Sequence, residues 1–89
     1  MPASYSLSQN YPNPFNPLTI INYQLTSANF TTIKIYNLLG QEVAQLVNEL
    51  KQPGTYEVTW DASNMPSGMY FYRMVSGQFS DVKKMLLIK

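Results

Sequence analysis

Thr55-Tyr56-Glu57-Val58-Thr59-Trp60 sets Tyr56, Val58 and Trp60 on one side of an extended chain, and Thr55, Glu57 and Thr59 on the other. Side chains of a strand point alternately to its two faces, so the stretch predicts a β-strand with one face in a core and one in water. Pro53-Gly54 before it is a strong turn signal. Asp61-Ala62-Ser63-Asn64-Met65-Pro66-Ser67-Gly68 after it is turn chemistry throughout.

The same pattern repeats on both sides. Downstream, Met69 to Val75 is an aromatic strand with Tyr70 and Tyr72 on one face and Phe71 on the other, and Ser76-Gly77 reverses the chain into a last strand from Gln78 to Lys89. Upstream, Gln41 to Val47 would also suit two helical turns, but it is short and follows the hairpin signal Asn37-Leu38-Leu39-Gly40, which favours a strand. In that signal Gly40 is free to take a positive φ. Phe30 to Tyr36 and Leu18 to Leu25 alternate cleanly, and Tyr5 to Gln9 does so briefly. Between these last two lies Asn10-Tyr11-Pro12-Asn13-Pro14-Phe15-Asn16-Pro17, whose prolines disfavour both helix and central strand; an ordered extended loop is expected, with Asn13 and Asn16 making local turn hydrogen bonds. About seven short strands with frequent turns predict an all-β fold, an immunoglobulin-like Greek-key β-sandwich, with Trp60 between its sheets.

Composition limits what such a sandwich does. The 89 residues suffice for one core, expected over 5–89, with 1–4 a leading segment or linker remnant. Hydrophobic residues make up 45% of the chain and charged ones 12%, a balance that belongs to a folded chain. Six basic residues against five acidic ones give no cationic stripe for nucleic acid. Histidine and cysteine are both absent, which removes imidazole bases, thiolate nucleophiles, disulfides and the usual zinc ligands together. Glu42, Glu49, Glu57, Asp61 and Asp81 fall singly, as solvated carboxylates do, so no catalytic site and no cofactor is expected. Asp61 and Asn64 are hard oxygen donors in one loop, but a lone carboxylate there fits an Asx turn better than a calcium site.

Two features leave alternatives open. Exposed tyrosines and tryptophan would stack on sugar rings, whereas the same residues paired across strands would form core. Lys84-Met85-Leu86-Leu87-Ile88-Lys89 holds four consecutive apolar residues between cations. It reads as a strand buried on both faces, as one exchanged with a neighbour, or as an edge offered to a partner by β-augmentation.

At five blocks the chain resembles the C-terminal sorting domain, type A, of the type IX secretion system of Bacteroidetes. They are Gln9 to Pro17, Tyr36 to Val43, Gly54 to Asp61, Asn64 to Arg73, and Lys84 to Lys89, in that order. The resemblance implies an immunoglobulin-like, non-catalytic export label fused behind an N-terminal cargo that carries its own signal peptide. It further implies recognition by an outer-membrane shuttle and translocon, and removal by a sortase-like peptidase. The route would run through the periplasm to the outer membrane, the cell surface or the medium, with no nucleic acid or small-molecule substrate. Lys84, Met85, Leu86, Leu87, Ile88 and Lys89 are the expected recognition element. Asn10, Pro12, Asn13, Pro14, Phe15, Asn16, Pro17, Gly40, Gly54, Trp60, Gly68 and Tyr70 are the expected structural motif positions. A carbohydrate-binding module and a structural immunoglobulin-like spacer are the alternatives.

Overall fold

The computed structural model of the chain describes residues 4–89. Of the leading segment 1–4, residues 1–3 lie outside the described residues and Ser4 is exposed. The strands are β1 (Ser6–Leu7), β2 (Leu18–Leu25), β3 (Asn29–Tyr36), β4 (Glu42–Lys51), β5 (Gly54–Asp61), β6 (Gly68–Ser76) and β7 (Phe79–Leu87). They form two antiparallel sheets in the orders β1-β2-β5 and β4-β3-β6-β7. The chain passes between sheets after β2, β4 and β5, and makes hairpins at β3-β4 and β6-β7. This is an immunoglobulin-like Greek-key sandwich, with β4 held beside β3.

Period-two burial drives the layering. Thr19, Ile21, Tyr23 and Leu25 of β2 face Ile33 and Ile35 of β3, Tyr70, Tyr72 and Met74 of β6, and Met85 and Leu87 of β7 within one core. Each fully buried side chain of this size stabilises the fold by about 1.5–3 kcal/mol. Trp60 lies at the end of β5, its ring edge-on to Tyr70 at 5.5 Å and tilted against Phe15 at 5.8 Å. The Tyr70 hydroxyl donates to Pro66 O (2.6 Å), closing a tyrosine corner of the kind found at the start of the corresponding strand in immunoglobulin domains. Thr31 of β3 and Ser76 of β6, both buried, satisfy each other's hydroxyls at 2.9 Å.

β4, β1 and β7 depart most from the sequence reading, while β3, β5 and β6 are each longer by a residue at one or both ends. β4 begins one residue later than expected and runs on to Lys51. Its register against β3 shifts between Ile33 and Lys34 and again between Ile35 and Tyr36, so Val43, Ala44, Leu46 and Val47 cannot alternate in sequence. Bulges of this kind place successive residues on one face, which is why the stretch also matched a helical period. β1 shrinks to two residues around the buried Leu7, and β7 stops at Leu87.

Candidate recognition site

The asparagine-proline segment is anchored from its first residue. Asn10, buried, donates through Nδ2 to Thr19 Oγ1 (2.9 Å) and Pro12 O (3.1 Å), and its Oδ1 accepts from Gln9 Nε2 (2.7 Å). Thr19 Oγ1 donates in turn to Pro12 O (3.0 Å), so every polar atom of this buried cluster is used. Tyr11 bridges Ile20 through both main-chain groups, at 2.9 and 2.8 Å. Pro12, Asn13, Pro14 and Asn16 stay exposed while Phe15 between them is buried against Trp60, and Pro17 O accepts from Ala62 N (3.0 Å). With no N–H on Pro12, Pro14 or Pro17, the segment cannot join the sheet as a regular strand and contributes one donor at a time.

Those donors and acceptors go to β7. Phe15 N donates to Leu86 O (3.0 Å) and Ile88 N donates to Phe15 O (2.9 Å), making a parallel bridge. Leu86 N donates to Asn13 Oδ1 (3.0 Å), and Gln9 Nε2 reaches Lys84 O (2.6 Å). Asn13 therefore bonds across the domain and not within a local turn. The expectation of a free edge along Lys84 to Lys89 is likewise corrected: both outward main-chain groups of Leu86 and the N–H of Ile88 are already paired, so this stretch is not open to an added strand. The apolar run is not buried on both faces either. Met85 and Leu87 are core, Leu86 is half-buried and Ile88 is exposed, while Lys84 stands free of ion pairs among the described residues. Lys89 is tied back, its N–H to Ser67 Oγ (3.1 Å) and its Nζ to Ser63 O (2.7 Å).

The structure thus brings the first and last expected blocks together and leaves others as framework. Gly54 opens β5 and Gly68 opens β6. Gly40 sits at φ 80° in the β3-β4 turn, where Asn37 Oδ1 accepts from Leu39 N (2.9 Å) and Gln41 N (3.0 Å). Gln9, Thr19 and Ser67 complete the arrangement and escaped the sequence reading; Gln9 lay in a matching block, but nothing in its type betrays a bond to Lys84.

Among the described residues the ionisable groups form no cluster of the kind catalysis uses. Glu42 pairs with Lys34 (3.5 Å), Glu49 with Lys51 (2.9 Å) and Asp81 with Lys83 (3.9 Å). Asp61 accepts from the Ser63 hydroxyl and from Ser63 N (3.0 Å), the Asx turn expected there, and these bonds hold its carboxyl below the usual range. Tyr72 donates to Ser8 O (2.6 Å); burial, the dominant cause, pushes its phenol up to about 12. Trp60, Tyr23, Tyr70 and Tyr72 are all buried, which takes them out of any sugar-stacking platform.

The fold and this pairing of early and late blocks define a small immunoglobulin-like module whose last strand is braced by its first loop. A family model described as "Secretion system C-terminal sorting domain" matches residues 9–89, and the chain belongs to that family. It is a sorting signal of the type IX secretion system, a signal for export to the cell surface or the extracellular space. Two solved structures from Porphyromonas gingivalis share the fold. Dimeric latent PorU matches with a TM-score of 0.72 at 20% identity over 97% of this chain and 10% of that one. PorZ, described as an essential surface component of the type-IX secretion system, matches with a TM-score of 0.61 at 20% identity over 96% and 11%. The chain thus spans about a tenth of each of those structures. No curated protein sequence matches it significantly.

Proposed function

We propose that the domain, over residues 5–89, is the address read by the outer-membrane shuttle and translocon of the secretion system after periplasmic transit of an N-terminally fused cargo, and that a sortase-like peptidase then removes it. The element read comprises the side chains of Lys84, Leu86, Ile88 and Lys89 at the end of β7, presented on the core anchors Met85 and Leu87. The pairing of Phe15 with Leu86 and Ile88 carries this reading, because it fixes the last strand against the segment nearest the cargo and holds its outward side chains in one geometry. Recognition then proceeds through side chains, the main chain of this edge being occupied. A transporter of unrelated cargoes needs a surface that they share and that stays ordered whatever precedes it.

The test is export of a reporter fusion in a bacterium that carries this secretion system. The double variant Lys84→Ala, Lys89→Ala is expected to fold, since surface changes of this kind alter stability by less than about 0.5 kcal/mol each, and to accumulate in the periplasm. Export equal to the parent removes the two lysines from the recognition element.

A further inference from the structure

The outer face of the four-stranded sheet carries an apolar groove that the sorting reading leaves without a role. Buried Ile35, Tyr72 and Met85 point inward, so their chain neighbours Tyr36, Phe71 and Lys84 point outward and lie in one row across β3, β6 and β7. The next row is Lys34, Arg73 and Val82. The β3-β4 turn, clamped by Asn37, hangs Leu38 over these rows, and the resulting groove of about 280 Å³ is lined by Tyr36, Leu38, Gly40, Phe71, Arg73 and Val82. Leu38 is 68% exposed and Val82 50%, and with Tyr36 and Phe71 they line one continuous apolar groove.

Charge on this face is one-sided. Lys34, Arg73 and Lys84 stand against the single carboxylate Glu42, which is committed to Lys34 at 3.5 Å. Among the described residues Arg73 and Lys84 make no ion pair, and Arg73 is exposed in the groove wall. Tyrosine and arginine, here Tyr36 and the unpaired Arg73 beside an apolar groove, are among the residue types in which binding energy concentrates at protein interfaces. The slot falls just below the roughly 300–1,000 Å³ of small-molecule sites, which suits one large side chain of a partner better than a free ligand.

We infer that this groove docks an acidic segment of a partner protein, seating one aromatic or large aliphatic side chain between Tyr36, Leu38, Phe71 and Val82 while a carboxylate one or two positions away pairs with Arg73 and a second faces Lys84. The inference rests on the sorting reading only in taking the partner to belong to the secretion machinery. Unlike the last-strand element, the groove uses no residue beyond Lys84.

The isotopically labelled chain is titrated, by amide chemical shifts, with the synthetic peptide acetyl-Glu-Asp-Phe-Asp-Glu-amide, with its lysine-for-acid counterpart, and with maltohexaose. Shifts confined to residues 36–40, 71–73 and 82–84 are expected from the acidic peptide alone. Half-saturation should rise about tenfold with Arg73→Glu, and also when salt is raised from about 0.05 to about 0.5 M. Arg73→Gln and Leu38→Asp should each weaken binding, and they decide the matter if the charge reversal fails to fold. The same variants are followed as reporter fusions: the parent should be exported and Arg73→Glu retained. Absence of groove-confined shifts, equal response to the basic peptide or to the sugar, or concentration-dependent shifts without peptide, which would mean a second copy fills the groove, each overturn the inference while parent export stands. Failure of the parent itself to be exported sinks the sorting reading and leaves the peptide result to judge the groove.

Discussion

Phe15→Ala should cost this domain about 3–5 kcal/mol, the range for emptying a fully buried aromatic site. Phe15 lies outside every strand, yet it is only 2% exposed and its ring packs against Trp60 at 5.8 Å, so its removal leaves a hole lined by that indole and the end of β7. A domain of this length has roughly 4–13 kcal/mol of total stability, so the loss is a large part of the whole. With a urea dependence of about 1–2 kcal/mol/M for a small protein, a loss of about 3–5 kcal/mol should lower the midpoint by about 1.5–5 M. The main-chain carbonyl of Phe15 survives the substitution. Hydrogen exchange therefore separates two effects: the Ile88 and Leu86 amides should lose protection before the amides of β3 and β6, because the side chain that seats their acceptors has gone. A double-mutant cycle with the milder pair Phe15→Leu and Trp60→Phe should show about 0.5–1.5 kcal/mol of coupling. A shift below about 1 kcal/mol with unchanged urea slope would show that the segment merely lies on the sandwich, and the reasoning about its anchoring would fail.

Tyr72 is held neutral up to about pH 12 by burial, whereas an unfolded tyrosine ionises near 10. The raised value means that the folded chain keeps a proton the unfolded chain loses, so its contribution is complete below about pH 10 and is lost as pH rises towards 12. Urea midpoints should be level up to about pH 9.5 and then fall, with a shallower fall in Tyr72→Phe, which also strips Ser8 O of its partner; an equal slope in the variant assigns the fall to other groups. Gly40→Ala should cost about 1 kcal/mol in denaturant unfolding, all of it from φ 80°, since an added Cβ meets no atom within 4 Å; Gly40→Asn should recover some of this. No loss in the alanine variant would mean that the turn readily adopts another geometry.

The alternation in Thr55 to Trp60, Leu18 to Leu25 and Met69 to Val75 was legible because each of these strands meets the core on one face only. β4 read ambiguously because its register slips twice, and a bulge is a property of a strand pair that neither strand displays alone. The occupancy of the β7 edge was illegible for a related reason. Asn13 looks like any turn asparagine, and nothing in its neighbours shows that its acceptor serves Leu86, 73 positions away. The blocks themselves could be matched by family resemblance, but their pairing could not. The groove was hidden too: Tyr36, Phe71, Arg73 and Val82 become neighbours only once β3, β6 and β7 are ordered in the sheet.

The bridge between Phe15 and Leu87 is parallel, and this has a mechanical meaning. Tension applied between the two sides of the domain draws the early segment towards its own start and β7 towards its own end, in opposite directions along two stretches of chain that run the same way at this bridge. The Phe15 N to Leu86 O and Ile88 N to Phe15 O bonds are then loaded in shear and share the force, whereas a hairpin such as β6-β7 opened from its ends would lose its bonds in succession, like a zip. Resistance to pulling is governed by the unfolding rate and not by equilibrium stability, so loss of this bridge should show first in the force at which the domain gives way.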